Sequence, residues 1–146
     1  MFINHIVLAF LVVLSILCRG FAQAIANPAY ADEINALIDY SVPLIDCNYL
    51  AQNRSWKSLV VLDSRTLDEY AVSHLRNARH IGYEQFQLHS LRDVPKNTPI
   101  VVYCSIGYRS EKIGEKLLEA GFKNVYNLYG GIFEWSNQLR PLFNEH

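Results

Sequence analysis

Apolar positions along this chain change their spacing several times, and each change marks a predicted element. From Ile6 to Leu17 the apolar run is nearly continuous. After an irregular step at Asn27-Pro28, Ile34, Leu37 and Ile38 recur at the spacing of one helix face, which predicts a short helix from about Asp32 to Tyr40. Beyond residue 41 short apolar runs alternate with helical spacing. VPLI (42–45), SLVVLD (58–63), PIVVYC (99–104) and NVYNL (124–128) read as strands, and ARHI (78–81) as a short extended piece. DCNYLAQN (46–53) reads as a short helix capped by Asp46, and Thr66-Leu67-Asp68-Glu69 has the form of a capping box opening a helix to about Ser73. Residues 82–98 are mixed, with a helical turn at Tyr83 to Phe86 and a loop near Pro95. A helix from Ser110 to Ala120 turns Ile113, Leu117 and Leu118 to the core and stops at Gly121 as a left-handed cap. Gly130-Gly131 then leads into a last helix containing Trp135. Strands alternating with helices predict an α/β domain, a mainly parallel sheet with helices on both faces.

The first apolar run changes the picture of where the domain starts. It precedes Ala22-Gln23-Ala24, the form of a secretory signal cut after Ala24, although MFINH contributes no Lys or Arg ahead of it. A run of twelve residues falls short of the roughly 20 apolar ones that a spanning helix needs, so no permanent membrane span is expected after cleavage. A lipid on Cys18 is disfavoured by the bulky Leu17 before it. The chain thus divides into a signal peptide (1–24), a helical N-terminal extension (25–41) and one domain (42–146), exported and expected in a periplasm. Without residues 1–24 the chain keeps 12 basic and 14 acidic residues, and that balance argues against nucleic acid as a partner. Cys47 and Cys104 also remain, enough for one disulfide at most, so the fold must stand on its core. A monomer is expected.

Cys104 ends a strand and a helix begins within a few residues. Ligands of parallel sheets sit outside the carboxyl ends of strands, and a helix N-terminus gathers backbone N–H groups that stabilise negative charge. Both features favour a thiolate at this position, since a thiolate is the reactive form of cysteine and is stabilised at helix N-termini and beside cations. Gly107 allows the loop Ser105-Ile106-Gly107-Tyr108-Arg109 to turn several N–H groups inward, and Arg109 supplies the cation. The competing reading is a small buried hydrophobe at a strand end, which is how most unpaired cysteines behave.

Three motifs stand in order along the chain, DSRTLDEYAVSHLRNARHI (63–81), CSIGYR (104–109) and YNLYGGIFEW (126–135), and together they resemble the rhodanese-like family. DSRTLDEYAVSHLRNARHI (63–81) is similar to its N-terminal signature through Asp63, Arg65, Glu69, Tyr70, His74 and Ala78. CSIGYR resembles its six-residue active-site loop at Cys104, Gly107 and Arg109, and YNLYGGIFEW its last strand and Gly-Gly turn at Leu128, Gly130, Gly131 and Trp135. The resemblance covers roughly residues 42 to 140. It implies a three-layer domain with a central, mainly parallel five-stranded sheet flanked by helices, and sulfur transfer in two steps. Cys104 would take the outer sulfur of a donor such as thiosulfate and hold it as a persulfide until a thiol or cyanide accepts it. The N–H groups of Ser105, Ile106, Gly107, Tyr108, Arg109 and Ser110 would stabilise the persulfide, and Arg109 would favour an anionic donor. Ser105 departs from the family pattern, since many thiosulfate-using members carry a basic residue there, so persulfide chemistry is more secure than the donor.

Four residues separate Cys104 from Arg109, where cysteine phosphatases need five, so phosphatase or arsenate chemistry ranks behind sulfur transfer. A non-catalytic binding module is the alternative of another class, although such domains usually lose the cysteine retained here. Asp63 is expected as a buried carboxylate that fixes loops, and Arg65 and Glu69 are expected to pair with each other or with Asp63. His74 is expected as a structural hydrogen-bonding residue near the loop, and Cys47 as a buried or idle thiol. Tyr108 either lines the mouth of the site or orders the loop from the solvent side. His80 and His89 lack ligand spacing, so neither a metal nor another cofactor is expected.

Overall fold

The computed structural model describes residues 25–53 and 58–144. The signal sequence read in residues 1–24 lies outside them. The elements in chain order are α1 (Pro28–Leu37), β1 (Leu44–Ile45), α2 (Cys47–Gln52), β2 (Val60–Asp63), α3 (Leu67–Val72), β3 (Arg79–His80), a 3-10 turn (Leu88–Leu91), β4 (Pro99–Tyr103), α4 (Tyr108–Glu119), β5 (Asn124–Leu128) and α5 (Gly131–Asn137). The five strands form one sheet in the order β1-β5-β4-β2-β3, and every pairing is parallel.

A parallel sheet covered on both faces has strands that are apolar on both sides, and β4 shows why the run PIVVY needs to be continuous. Val101 and Tyr103 enter one buried cluster with Leu50 of α2 and with Ile132 and Trp135 of α5. Ile100 and Val102 enter the opposite cluster with Ile113 and Leu117 of α4, and with Leu91 and Phe122. Leu118 is only partly buried against this second cluster. The helices therefore make two layers with the sheet between them. α4 closes with Gly121 at φ 89° and with the paired bonds Gly121 N to Leu118 O (2.9 Å) and Phe122 N to Leu117 O (3.1 Å), which satisfy its last carbonyls.

Several boundaries differ from those read in the sequence. α1 begins at Pro28, four residues early, because the Asn27 side chain accepts the Ala29 N–H (3.1 Å) and Pro28 occupies the first helical position. It ends at Leu37 instead of Tyr40, because the buried Glu111 carboxylate accepts the N–H groups of Asp39 (2.8 Å) and Ser41 (3.1 Å) and Tyr40 turns to φ 58°. α4 begins at Tyr108, two residues early, since Gly107 at φ 129° serves as its cap. The 3-10 turn at Leu88–Leu91 has no counterpart in the sequence reading, which placed a helical turn at Tyr83 to Phe86; there one bond links Phe86 N to Tyr83 O (3.3 Å).

The N-terminal extension lies on the domain and builds a third, small cluster of its own. Ile25, Ile34 and Ile38 are buried with Tyr129, and Ile106 of the cysteine loop packs against them. Polar bonds fix the same contact: Tyr30 Oη donates to Gly130 O (3.2 Å), and Tyr129 Oη bonds Asn35 Oδ1.

Candidate active site

Cys104 directly follows β4, at the carboxyl end of the central strand. Two independent sets of contacts hold the loop that starts there. The first uses the start of α5, where Ile132 N donates to Cys104 O (2.9 Å) and Phe133 N to Ser105 O (3.1 Å). Gly131, at φ 57°, sits so close to these carbonyls that a Cβ would lie 2.4 Å from Cys104 O and 2.5 Å from Ser105 O. The Gly-Gly turn is thus a packing requirement of the cysteine loop as well as a change of chain direction.

The second set is a buried polar network beneath the loop. Ser110 Oγ lies 2.7 Å from Asn127 Oδ1, 3.0 Å from Gly107 O and 3.5 Å from Cys104 Sγ. Asn127 Nδ2 donates to Gly107 O (2.9 Å). Asn127 was not singled out from the sequence, although a polar residue in the apolar run NVYNL is the kind of signal that could have marked it.

Gly107 N donates to Cys104 Sγ at 3.1 Å, which fixes the sulfur above the helix start. This is one amide where the sequence reading expects several. The amides of Tyr108, Arg109 and Ser110 occupy the first turn of α4, where no helical carbonyl is in register to accept them. Cys104 is buried, 1% exposed. The reason is the packing above and below: Ile106 leans on the extension cluster, and the Ser110 network closes the floor. Tyr108, by contrast, projects into solvent, 42% exposed.

The charged residues regroup relative to the sequence reading. Arg65 pairs with Asp63, both buried, through Nε to Oδ1 (3.0 Å) and Nη2 to Oδ2 (2.6 Å), and its Nη2 also donates to Ser73 O (2.6 Å). Burial opposes the Arg65 charge, but the Asp63 hydrogen bond and charge outweigh it and raise its pKa. The carbonyl of Asp63 accepts Ile81 N (2.9 Å), so the residue ties β2 to the segment after β3. Glu69 pairs with neither Arg65 nor Asp63. It meets Arg109 end-on, Nη1 to Oε2 and Nη2 to Oε1, both 2.9 Å, and Ser105 Oγ lies between them at 3.2 Å from Glu69 Oε1 and 2.9 Å from Arg109 Nη2. The Arg109 hydrogen bonds hold the Glu69 carboxyl well below the usual range, and the same pairing, with a smaller share from Cys104, raises Arg109.

His74 makes hydrogen bonds of a structural kind, with Nδ1 3.0 Å from Tyr70 O. Its ring stacks on Tyr70 (centroids 4.1 Å, planes 8° apart), and its backbone exchanges bonds with Phe143 of the C-terminal segment (2.7 and 2.9 Å). His80 Nε2 bonds Arg65 O (2.9 Å), and His89 lines a surface hollow with Arg79, Ser90, Arg92 and Asp93. Cys47, the first residue of α2, is a fully buried free thiol, pushed up to about 12 by burial and then by the Glu134 charge. Asp39, Glu111 and Glu115 converge, but Lys112 Nζ bonds Asp39 (2.7 Å) and Glu115 (2.9 Å), and Glu111 is taken by backbone amides. Among the described residues no helix is long and apolar enough to cross a membrane.

Comparison with known proteins places this geometry in company. The family model for the rhodanese-like domain matches residues 35–138. Thiosulfate sulfurtransferase GlpE of Coxiella burnetii is 37% identical over 79 residues, covering 54% of this chain and 73% of its own. The tRNA uridine(34) hydroxylase of Pectobacterium carotovorum is 30% identical over 136 residues, covering 86% of this chain but 34% of its own. Among solved structures, the rhodanese-like domain of an Anabaena protein superposes with a TM-score of 0.64 at 24% identity, over 70% of this chain and 79% of that one.

Proposed function

Because the chain belongs to the rhodanese-like domain family, we propose that it is a sulfurtransferase that carries a sulfane sulfur as a persulfide on Cys104. The observation that carries the reading is the seat of Cys104 Sγ, held by the Gly107 N–H at 3.1 Å and beside the Ser110 hydroxyl at 3.5 Å, at the carboxyl end of the central strand. Such a seat favours a sulfur that bears negative charge in both half-reactions. In the first, the Cys104 thiolate attacks the outer sulfur of the donor. The donor S–S bond breaks, its leaving group departs with the bonding pair, and the new Sγ–S bond carries the charge outward. In the second, an acceptor thiolate or cyanide attacks that outer sulfur, and Cys104 recovers its thiolate.

The partners are a small sulfur donor and a thiol acceptor, and the relative named as a thiosulfate sulfurtransferase supports thiosulfate as a donor to try first. The proposed protein is an exported monomer, with a mature chain that starts near Ile25; N-terminal sequencing of the native protein tests this, and a chain that starts at Met1 overturns it. The reaction itself is tested by intact mass. Incubated with a sulfane-sulfur donor, the protein gains about 32 mass units per sulfur and returns them to cyanide or a thiol, as a covalent nucleophile does. Cys104→Ser folds and gains nothing. Equal loading of the two proteins, or none in the wild type, sinks the reading in favour of a binding module.

A further inference from the structure

We propose that Glu69 determines donor specificity: clamped on Arg109 and Ser105, its carboxylate cancels the cation of the loop, so that the site takes sulfur from neutral or singly charged hydropersulfides in preference to the thiosulfate dianion. This rests on the sulfurtransferase reading and adds the donor class to it.

Four observations carry the assignment. The pair is two-pronged, with both Glu69–Arg109 contacts at 2.9 Å, so the guanidinium presents its paired nitrogens to a carboxylate and not to an incoming anion. Ser105, the residue directly after the cysteine, supplies a hydroxyl to the same clamp and no charge of its own. Glu69 is also fixed from behind. Its Oε2 accepts the Thr66 N–H (2.9 Å) and lies 3.0 Å from Thr66 Oγ1, so releasing it from Arg109 would leave it anchored to the helix cap with its charge still at the site. Finally, among the described residues two further cations are already paired, Arg65 with Asp63 and Lys112 with Asp39 and Glu115. A dianion that approaches Arg109 therefore meets a cation already paired with a fixed carboxylate.

A hydropersulfide escapes this opposition. The Cys104 thiolate attacks the outer sulfur of R–S–SH, the S–S bond breaks, R–S⁻ leaves with the bonding pair and takes the proton as R–SH, and Cys104 keeps the outer sulfur as a charged persulfide. Net charge is unchanged, and no oxidant or reductant is consumed. Thiosulfate delivers the same sulfur while expelling sulfite, a second dianion beside Glu69.

The test compares thiosulfate with a small alkyl hydropersulfide as donors, using one common acceptor. In Glu69→Gln the amide keeps the shape and the helix-cap contact but removes the charge. The expected result is a rise of about tenfold or more in the ratio of kcat/KM for thiosulfate to that for the hydropersulfide, the scale on which one surface charge alters capture of a charged ligand. The gain disappears in the double variant Glu69→Gln/Arg109→Gln, since Glu69 acts by masking Arg109. A measurement on the wild type alone gives the second arm: with the charge masked, its thiosulfate kcat/KM stays nearly flat as salt is raised. An unchanged or lower ratio in Glu69→Gln, or a steep fall of the wild-type thiosulfate rate with salt, overturns the assignment of Glu69 while sulfur loading stands. Wild type that loads from neither donor overturns the sulfurtransferase reading and this assignment together.

Discussion

The Ser110 hydroxyl carries one proton, and Asn127 Oδ1, Gly107 O and Cys104 Sγ all stand close enough to receive it. While the cysteine is a thiol, the oxygen of Asn127 at 2.7 Å is the best acceptor. Once the sulfur is ionised, the charged acceptor becomes the stronger one, and a turn about one bond delivers the proton. A hydrogen bond to a charged group contributes roughly 1.5–3 kcal/mol, so Ser110→Ala is expected to slow single-turnover sulfur loading by about tenfold to a hundredfold. Stopped-flow loading followed by mass analysis measures it. At this scale the sequence was legible where chemistry is local. Thr66 and Glu69 sit three apart and form the capping box their spacing announces, and Asp63 and Arg65 pair across two residues. The partner of Glu69 was not legible, because Arg109 is 40 positions away and the choice between two arginines is made by the fold. Asn127 was missed for the same reason, since its partners at Gly107 and Ser110 meet it only when β5 pairs with β4.

Among the described elements, β2, β4, β5 and α4 were readable because their apolar periods are long enough to exclude alternatives. The ends of α1 and α4 were not, since α1 is stopped by a buried glutamate from another element and α4 is started by a glycine conformation. The Gly-Gly turn before α5 was visible as a turn, but its contact with the cysteine loop was not. That contact yields a prediction for the element. In Gly131→Ala, a left-handed backbone costs about 1–2 kcal/mol, and the methyl group collides with two carbonyls that cannot flex away without moving Cys104. The expected outcome is a fall in stability of more than about 2 kcal/mol by denaturant titration together with loss of sulfur loading. A variant that is destabilised but loads sulfur normally would separate the turn from the site.

For the molecule as a whole, the buried thiol at Cys47 sets an alkaline limit. Its folded-state pKa is raised, so its contribution to stability is complete below the ordinary thiol value of about 8.5. The contribution is lost as pH rises from there toward about 12. Tyr30, raised to about 12, and Tyr103, also raised, add the same sign of dependence, but only above the ordinary tyrosine range near 10. Between about pH 8.5 and 9.5 the Cys47 share stands apart from theirs. Denaturant midpoints across that window are expected to fall with pH in the wild type and to fall less steeply in Cys47→Ala, whatever the absolute stability of the variant.

The sheet order has a further consequence for how the chain is made. A ribosome delivers β1 before the other described strands, yet among the described residues its partner in the sheet is β5, through Leu44 with Asn127 and Ile45 with Leu128. A nascent chain that has reached Lys123 can pair β3, β2 and β4, but β1 waits and one edge of β4 stays open. Pairings this distant in sequence form late, because the loop between them must close before any contact rewards it. The cysteine loop waits with them. Until Asn127, Ile132 and Phe133 have been synthesised, Gly107 and Ser110 lack their floor, and the carbonyls of Cys104 and Ser105 lack their donors. The seat of Cys104 is therefore organised by residues synthesised after it, and a nascent chain that stops before them carries the cysteine without that seat.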